Sequence, residues 1–197
     1  MRPTTQTRSL GGFTWQTLRL HPHSFCPAVT QFKAGVARPR AGVLLFAYTI
    51  RGKVGDLAVA PPADAVRTDE LWRHTCFEAF IRGPSSAEYY ELNFAPSTQW
   101  AAYRFSGYRS DMRVATEINA PRIAVEARRE RYMLQASLEL DETLSLASGA
   151  GAPIWHVGLS AVIEETGGRR SYWALAHPSG KPDFHHSDCF ALEVPRA

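Results

Sequence analysis

The sequence predicts an all-β fold, a single antiparallel β-sandwich of about ten strands with jelly-roll or Ig-like topology and little helix. Three observations predict it. Apolar residues alternate with period two through most segments, and each segment is short and bounded by turn residues. Helical periodicity is scarce. No strand–helix alternation appears, which argues against a nucleotide-binding α/β fold.

The elements follow in order. "FTWQTLRL" (13–20) alternates through Phe13, Trp15 and Thr17, and "GVLLFAYTIRG" (42–52) is a nearly continuous apolar run stopped by Arg51-Gly52. Residues 53–70 contain Pro61-Pro62 and read as a long connection. "HTCFEAFIRG" (74–83) places Phe77, Ala79 and Ile81 on one side and Cys76, Glu78 and Phe80 on the other. In 121–140, Ile123 and Val125 lead into a turn near Arg129-Glu130, and Tyr132, Leu134 and Ala136 return. "LDETLSLA" (140–147) has the pattern of one or two helical turns with Asp141 as N-cap. "IWHVGLSAVIEE", "RRSYWALAH" and "DCFALEV" complete the strands. The domain is expected to span 13–197, behind a flexible polar tail at 1–12.

Composition narrows the function. The chain has 197 residues, 45% of them hydrophobic, enough for one domain with a substantial core. Its net charge is +3, carried almost wholly by arginines in mixed-sign surroundings, without the dense basic stripe of a nucleic-acid binder. The longest apolar run (41–50) is about half a membrane span. No secretory h-region precedes Phe13. Cys26, Cys76 and Cys189 are isolated and odd in number, which fits a reducing cytoplasm rather than a disulfide framework or a cysteine zinc site.

The segment "YYELNFAPSTQWAAYRF" (89–105) reads as a hairpin turning at Pro96–Gln99. The expected register sets Phe94 against Ala101, Leu92 against Tyr103 and Tyr90 against Phe105, a wholly apolar core face. The other face then pairs Ala95 with Trp100, Asn93 with Ala102 and Glu91 with Arg104. Glu78 joins them if its strand is the neighbour. This makes Glu78, Glu91, Asn93, Trp100 and Arg104 the candidate ligand-binding residues, with Trp100 as a stacking plane. An ordinary cross-strand ion pair between Glu91 and Arg104 is the plain alternative. "GYRSDMR" (107–113) supplies Tyr108 and Arg109 as rim candidates.

"LWRHTCFEAFI", "YYELNFAPSTQWAAYRFSGYRSDM" and "WALAHPSGKPDFHHSDCFALEV" together resemble the bacterial DOMON-like proteins, related to the DOMON and family-nine carbohydrate-binding modules. The resemblance spans roughly 13–195. It implies a β-sandwich binding module, in which some relatives hold sugars against tryptophans and others hold haem between a Met and a His. It would make Trp100 one sugar-stacking residue and Trp72 or Trp173 a second. Met112 and Met133 match no haem motif, so no cofactor is expected.

Other constellations carry less. "HPSGKPDFHHSD" gathers His177, Asp183, His185 and His186, but in a Pro/Gly loop with no standard ligand spacing, so they are only weak metal candidates. Glu78 and Glu91 have the residue types of a glycosidase pair, although an Arg104 opposite Glu91 would depress the latter's pKa and spoil it as an acid. His74 stands two residues from Cys76, too far along a strand for a nucleophile pair. The expected function is non-catalytic binding of a small polar ligand, plausibly a carbohydrate. A protein-interaction face without a small ligand is the alternative, and a glycoside or metal-assisted hydrolase ranks third.

Overall fold

The computed structural model of the chain describes residues 9–10, 12–84, 86–140 and 154–195. The helical turns expected after Asp141 lie outside the described residues, as does most of the expected N-terminal tail.

Two antiparallel sheets face each other. The first runs, in spatial order, β1 (Ser9–Leu10), β2 (Phe13–Thr17), β4 (Val29–Arg40), β5 (Val43–Gly52), β11 (Arg131–Glu139) and β10 (Arg122–Ala127). The second runs β3 (Arg19–Leu20), β13 (Arg170–Ala174), β12 (Trp155–Glu164), β6 (Cys76–Arg82), β7 (Tyr89–Phe94), β8 (Trp100–Phe105) and β9 (Arg113–Val114), with β14 (Leu192–Val194) also on β12. The expected β10–β11 hairpin forms, with Val125 opposite Leu134 and Ala127 opposite Tyr132.

The sandwich core comes from the period-two alternation of the facing strands. Phe32, Phe46, Tyr48 and Tyr132 of the first sheet meet Phe77 and Phe94 of the second, with Phe77 stacked on Tyr132 at 5.9 Å and Phe46 against Phe94 at 5.6 Å. Tyr48 spans the layers, donating its hydroxyl proton to the Glu78 carbonyl at 2.7 Å. Each buried ring contributes roughly 1.5–3 kcal/mol.

β4, where the sequence predicts no strand, is the longest among the described residues, at 12 residues. Ala, Gly, Lys and Pro give it weak strand propensity. Register shifts near Val29 and Ala37 also interrupt its alternation.

The second sheet has an unusual outer face. β6 and β7 are buried at nearly every position rather than at alternate ones, so both sides of these strands are covered. The roof is made by the turn at Leu71–Arg73 and by the segment between β13 and β14, which inserts Phe184 and Phe190. Beneath it lies a second apolar cluster of Phe80, Tyr89, Tyr103, Phe105 and Val162. Gly158 permits the close cover: a Cβ there would lie 2.9 Å from the Cys189 carbonyl oxygen. No helix among the described residues is long and apolar enough to cross a membrane.

Candidate functional site

The β7–β8 hairpin differs by one residue from the expected register. Phe94 pairs with Trp100, Leu92 with Ala102, Glu91 with Tyr103 and Tyr90 with Arg104. The cause is the turn. Ala95 and Gln99 close the ladder, the Ala95 N–H donating to the Gln99 carbonyl at 2.9 Å. This leaves a three-residue loop whose last member, Thr98, is left-handed at φ 73°. Such a position ordinarily advertises itself with Gly or Asn, and a β-branched threonine conceals it.

A one-residue slip exchanges the faces of a strand. Glu91 and Asn93 therefore lie on the outer face with Ala101, Tyr103 and Phe105, while Trp100 and Arg104 turn to the opposite side with Tyr90, Leu92 and Phe94. Trp100 joins the sandwich core, 5% exposed, with the Arg67 guanidinium 4.1 Å above its ring. Arg67 is fixed there by donating to the carbonyls of Ala102, Ala115 and Ile118. Arg104 is paired not with Glu91 but with Glu88 at 2.7 Å and Glu117 at 3.6 Å. The expected five-residue platform is thus divided: Glu78, Glu91 and Asn93 share one face, and Trp100 and Arg104 belong to the other.

The shared face holds a cavity of 390 Å³ under the roof. Its lining includes Trp72, Glu78, Glu91, Arg109, Tyr172 and His185. One row across the sheet runs Ser160, Glu78, Asn93, Ala101, and the adjoining row runs Gly158, Phe80, Glu91, Tyr103. Glu78 and Glu91 are diagonal neighbours on one face, about 7 Å apart at the backbone. They are 3% and 5% exposed.

The polar contacts are directional. The Cys76 thiol donates to Asn93 Oδ1 at 3.4 Å, and the Asn93 amide donates to Glu91 Oε1 at 2.8 Å. The other Glu91 oxygen faces His185 Nε2 at 3.7 Å. Tyr89 Oη accepts the Arg109 backbone N–H at 3.2 Å and lies 2.8 Å from His185 Nδ1. A proton donated from Tyr89 to Nδ1 leaves the Nε2–H aimed at Glu91. Arg109 itself is held by Asp183 at 2.8 Å, and Tyr108 donates to the same carboxylate. Glu78 Oε1 and Ser160 Oγ are buried without a hydrogen-bond partner.

Burial sets the electrostatics. Glu78 is pushed well above the usual carboxylate range by burial and then by the neighbouring Glu91, against a weaker pull from Arg109. Burial raises Glu91 to about 7, opposed by the Asn93 hydrogen bond and Arg109. His185 is lowered to about 4 by burial and the Arg109 charge, so it is neutral at pH 7. At neutral pH the carboxylate pair retains a proton and can both donate and accept.

The four metal candidates do not converge. His177 leaves for the opposite end of the loop, where Nε2 bonds the Arg19 carbonyl at 2.8 Å and the ring packs 4.8 Å from His21. His186 caps the turn at Ser187–Cys189. Among the described residues no group of three or more His, Cys, Asp or Glu is arranged to hold a metal ion. Cys76 is fully buried and His74 instead binds Glu164 at 2.8 Å.

Trp72, one of the two possible second tryptophans, lines the cavity and meets Tyr103 edge-on at 5.6 Å, whereas Trp173 is in the core. Tyr172 is a wall residue outside the sequence-based candidates, although alternation in "RRSYWALAH" does set it opposite in face to Trp173. From sequence His185 is only a metal candidate; nothing in the loop's sequence signals its folding back onto Tyr89 and Glu91.

Compared by sequence, the chain matches no protein-family model and no curated protein. Compared by structure, it is similar to a Bacteroides uniformis protein provisionally described as carbohydrate-binding, with TM-score 0.59 and 12% identity over 94% of this chain and 87% of that one. A family-nine carbohydrate-binding module of Caldicellulosiruptor kristjanssonii, in complex with cellotriose, superposes at TM-score 0.48 with 11% identity over 91% and 83%. The likeness is one of fold.

Proposed function

We propose that this domain is a non-catalytic binding module whose roofed pocket takes a small polar ligand of carbohydrate type. The carrying observation is Glu78 Oε1, buried and unpartnered on the floor of a cavity walled by Trp72 and Tyr172. An unsatisfied buried oxygen costs about 1–3 kcal/mol, and a ligand hydroxyl reaching it recovers that cost. A carboxylate pair holding one proton offers a donor and an acceptor together, the pattern that vicinal hydroxyls need. Trp72 supplies an aromatic wall for the apolar side of a sugar ring. At 390 Å³ the cavity lies at the small end of the ligand-pocket range of about 300–1,000 Å³, suiting a single ring or a chain end. Fold likeness to a protein provisionally described as carbohydrate-binding supports the reading. Calorimetric titration with a panel of mono- and disaccharides tests it. A saturable heat lost in Trp72→Ala and kept in a surface control is expected; no heat with any sugar overturns it.

Hydrolysis stands second, because the objection from Arg104 is gone: Glu91 is raised, not depressed. An acid and a base on neighbouring strands in one cavity are the minimum for glycoside cleavage. Turnover of aryl glycosides, abolished in both Glu78→Gln and Glu91→Gln, would make it the better reading.

A further inference from the structure

Two buried carboxylates share the pocket floor, and no arginine or lysine among the described residues pairs with either of them. Buried anions need a counter-charge, a metal or a proton. The nearby cations are already engaged. Arg109 is neutralised by Asp183 at 2.8 Å. Arg170 donates to the Arg73 carbonyl at 3.2 Å and stands across the ladder from Glu164. His185 is neutral at pH 7. A metal is disfavoured, since among the described residues no three His, Cys, Asp or Glu side chains, His185 with the pair included, are arranged to hold one. The groups facing the pair from other elements are Tyr103, Arg109 and His185, with Cys76 and Asn93 beside it on β6 and β7; none brings an uncompensated positive charge.

Resting on the carbohydrate reading, we propose that the pocket selects a sugar bearing a protonated primary amine, with its ammonium group seated between Glu78 and Glu91. Geometry supports this. Glu78 Oε1 lacks a donor, and Glu91 Oε2 has only the 3.7 Å approach of His185, so both carboxylates have an oxygen to offer. Three ammonium hydrogens can serve two carboxylates at once, which a hydroxyl cannot. Trp72, Tyr172 and Phe105 line the same cavity and present π-systems to a cation. The bound ammonium replaces the proton that the pair holds in the empty pocket, so binding near neutral pH releases that proton from the protein to solvent.

The test is calorimetric titration at pH 7 with glucosamine, N-acetylglucosamine and glucose, repeated in two buffers of different ionisation enthalpy. Glucosamine is expected to bind about tenfold or more tightly than the other two, with buffer-dependent heat showing proton release. Glu78→Gln should reduce that preference to about threefold or less while melting as a folded protein; Glu91→Gln is the second variant should the first misfold. Equal binding of the three sugars overturns the ammonium inference and leaves the carbohydrate reading standing. No binding by any of the three overturns the ammonium inference, and no heat across the whole mono- and disaccharide panel overturns the carbohydrate reading with it.

Discussion

Glu78 stands diagonally across the β6–β7 ladder from Glu91, on the outer face of the sheet, with the Asn93 amide bonded to Glu91 and no donor for Glu78 Oε1. The arrangement costs stability in the empty protein, because water has been removed from two carboxylates without an ion pair in return. Function is the simplest reason for a fold to keep it.

That cost depends on pH, and its sign follows from the raised pKa. Glu91 moves from 4.5 in the unfolded chain to about 7 when folded. The folded state holds the proton more tightly, so this contribution is present below pH 4.5 and is lost as pH rises through 7. His185 acts oppositely: lowered from 6.5 to about 4, it stabilises above pH 6.5 and loses that contribution as pH falls towards 4. The windows overlap, and because Glu78 is raised as well, its loss adds to that of Glu91 while His185 offsets only one of them, so wild-type stability is expected to fall as pH rises there. Difference curves separate them. Denaturant titrations of Glu91→Gln against wild type should show a wild-type disadvantage growing by about 3 kcal/mol from pH 4.5 to 7.5. A difference that does not vary with pH refutes the assignment.

Trp72 and Trp100 are expected to fail in different ways. Trp100→Ala removes a ring packed in the core beneath Arg67 and should cost roughly 3–5 kcal/mol of stability. Trp72→Ala opens a half-buried cavity wall, should cost no more than about 2 kcal/mol, and should weaken ligand binding at least about tenfold. Thermal melts beside calorimetry decide it; loss of binding in a well-folded Trp100→Ala protein would restore the platform that the register excludes.

Much of the sandwich was legible, because alternation in β10 and β11 is a direct print of one buried face, and the short, nearly continuous apolar runs of β5 and β12 mark strands buried on both. The site was legible only on its first two strands. Glu78, Glu91 and Asn93 share a face, as their parity and the pairing of β6 with β7 require. Parity across the next turn depends on loop length, and Thr98 hid an odd loop inside an apparently even one. The roof was invisible for another reason: Leu71–Arg73 and the loop carrying Phe184 and His185 have no periodicity, and their positions are set by long-range packing alone.

Thr98 gives a direct check of that turn. Its left-handed backbone strains a β-branched residue by about 1 kcal/mol. Its hydroxyl recovers part of this by donating to the Ala63 carbonyl at 2.9 Å. Thr98→Asn, which tolerates the conformation, should be stabilising by up to about 0.5 kcal/mol. Thr98→Val keeps the branching and loses the hydrogen bond, and should destabilise by about 1 kcal/mol. Denaturant midpoints for the two variants must move in opposite directions.

The clasp between Asp183 and the 106–112 loop positions the arginine at the cavity. Arg109 sits at φ 51°, a conformation that residues other than Gly adopt only when surroundings hold them. Here the holding groups are Asp183 on its guanidinium and Tyr89 on its backbone N–H. Asp183→Asn should leave the sandwich intact but raise amide exchange at 107–111 by about tenfold, and weaken ligand binding by a few-fold as the wall loosens. Unchanged exchange in that loop would show that the clasp does not hold it.

Gly158 tests whether the roof makes the site. It lies opposite Phe80 on the outer face, beneath the chain at Cys189. A methyl group added there meets the Cys189 carbonyl oxygen at 2.9 Å and the Phe80 side chain at 3.4 Å. Backbone must shift, since neither neighbour is the free end of a flexible side chain. Gly158→Ala is therefore expected to lift the segment that carries Phe184 and His185, at a cost of about 1–3 kcal/mol. The sandwich core on the other side of β12 is untouched, so the protein should still fold. Ligand binding should fall at least about tenfold, and the pH dependence assigned to Glu91 should shrink as water reaches the carboxylates. Retained affinity with a lifted roof would mean that the open face of the sheet suffices for recognition.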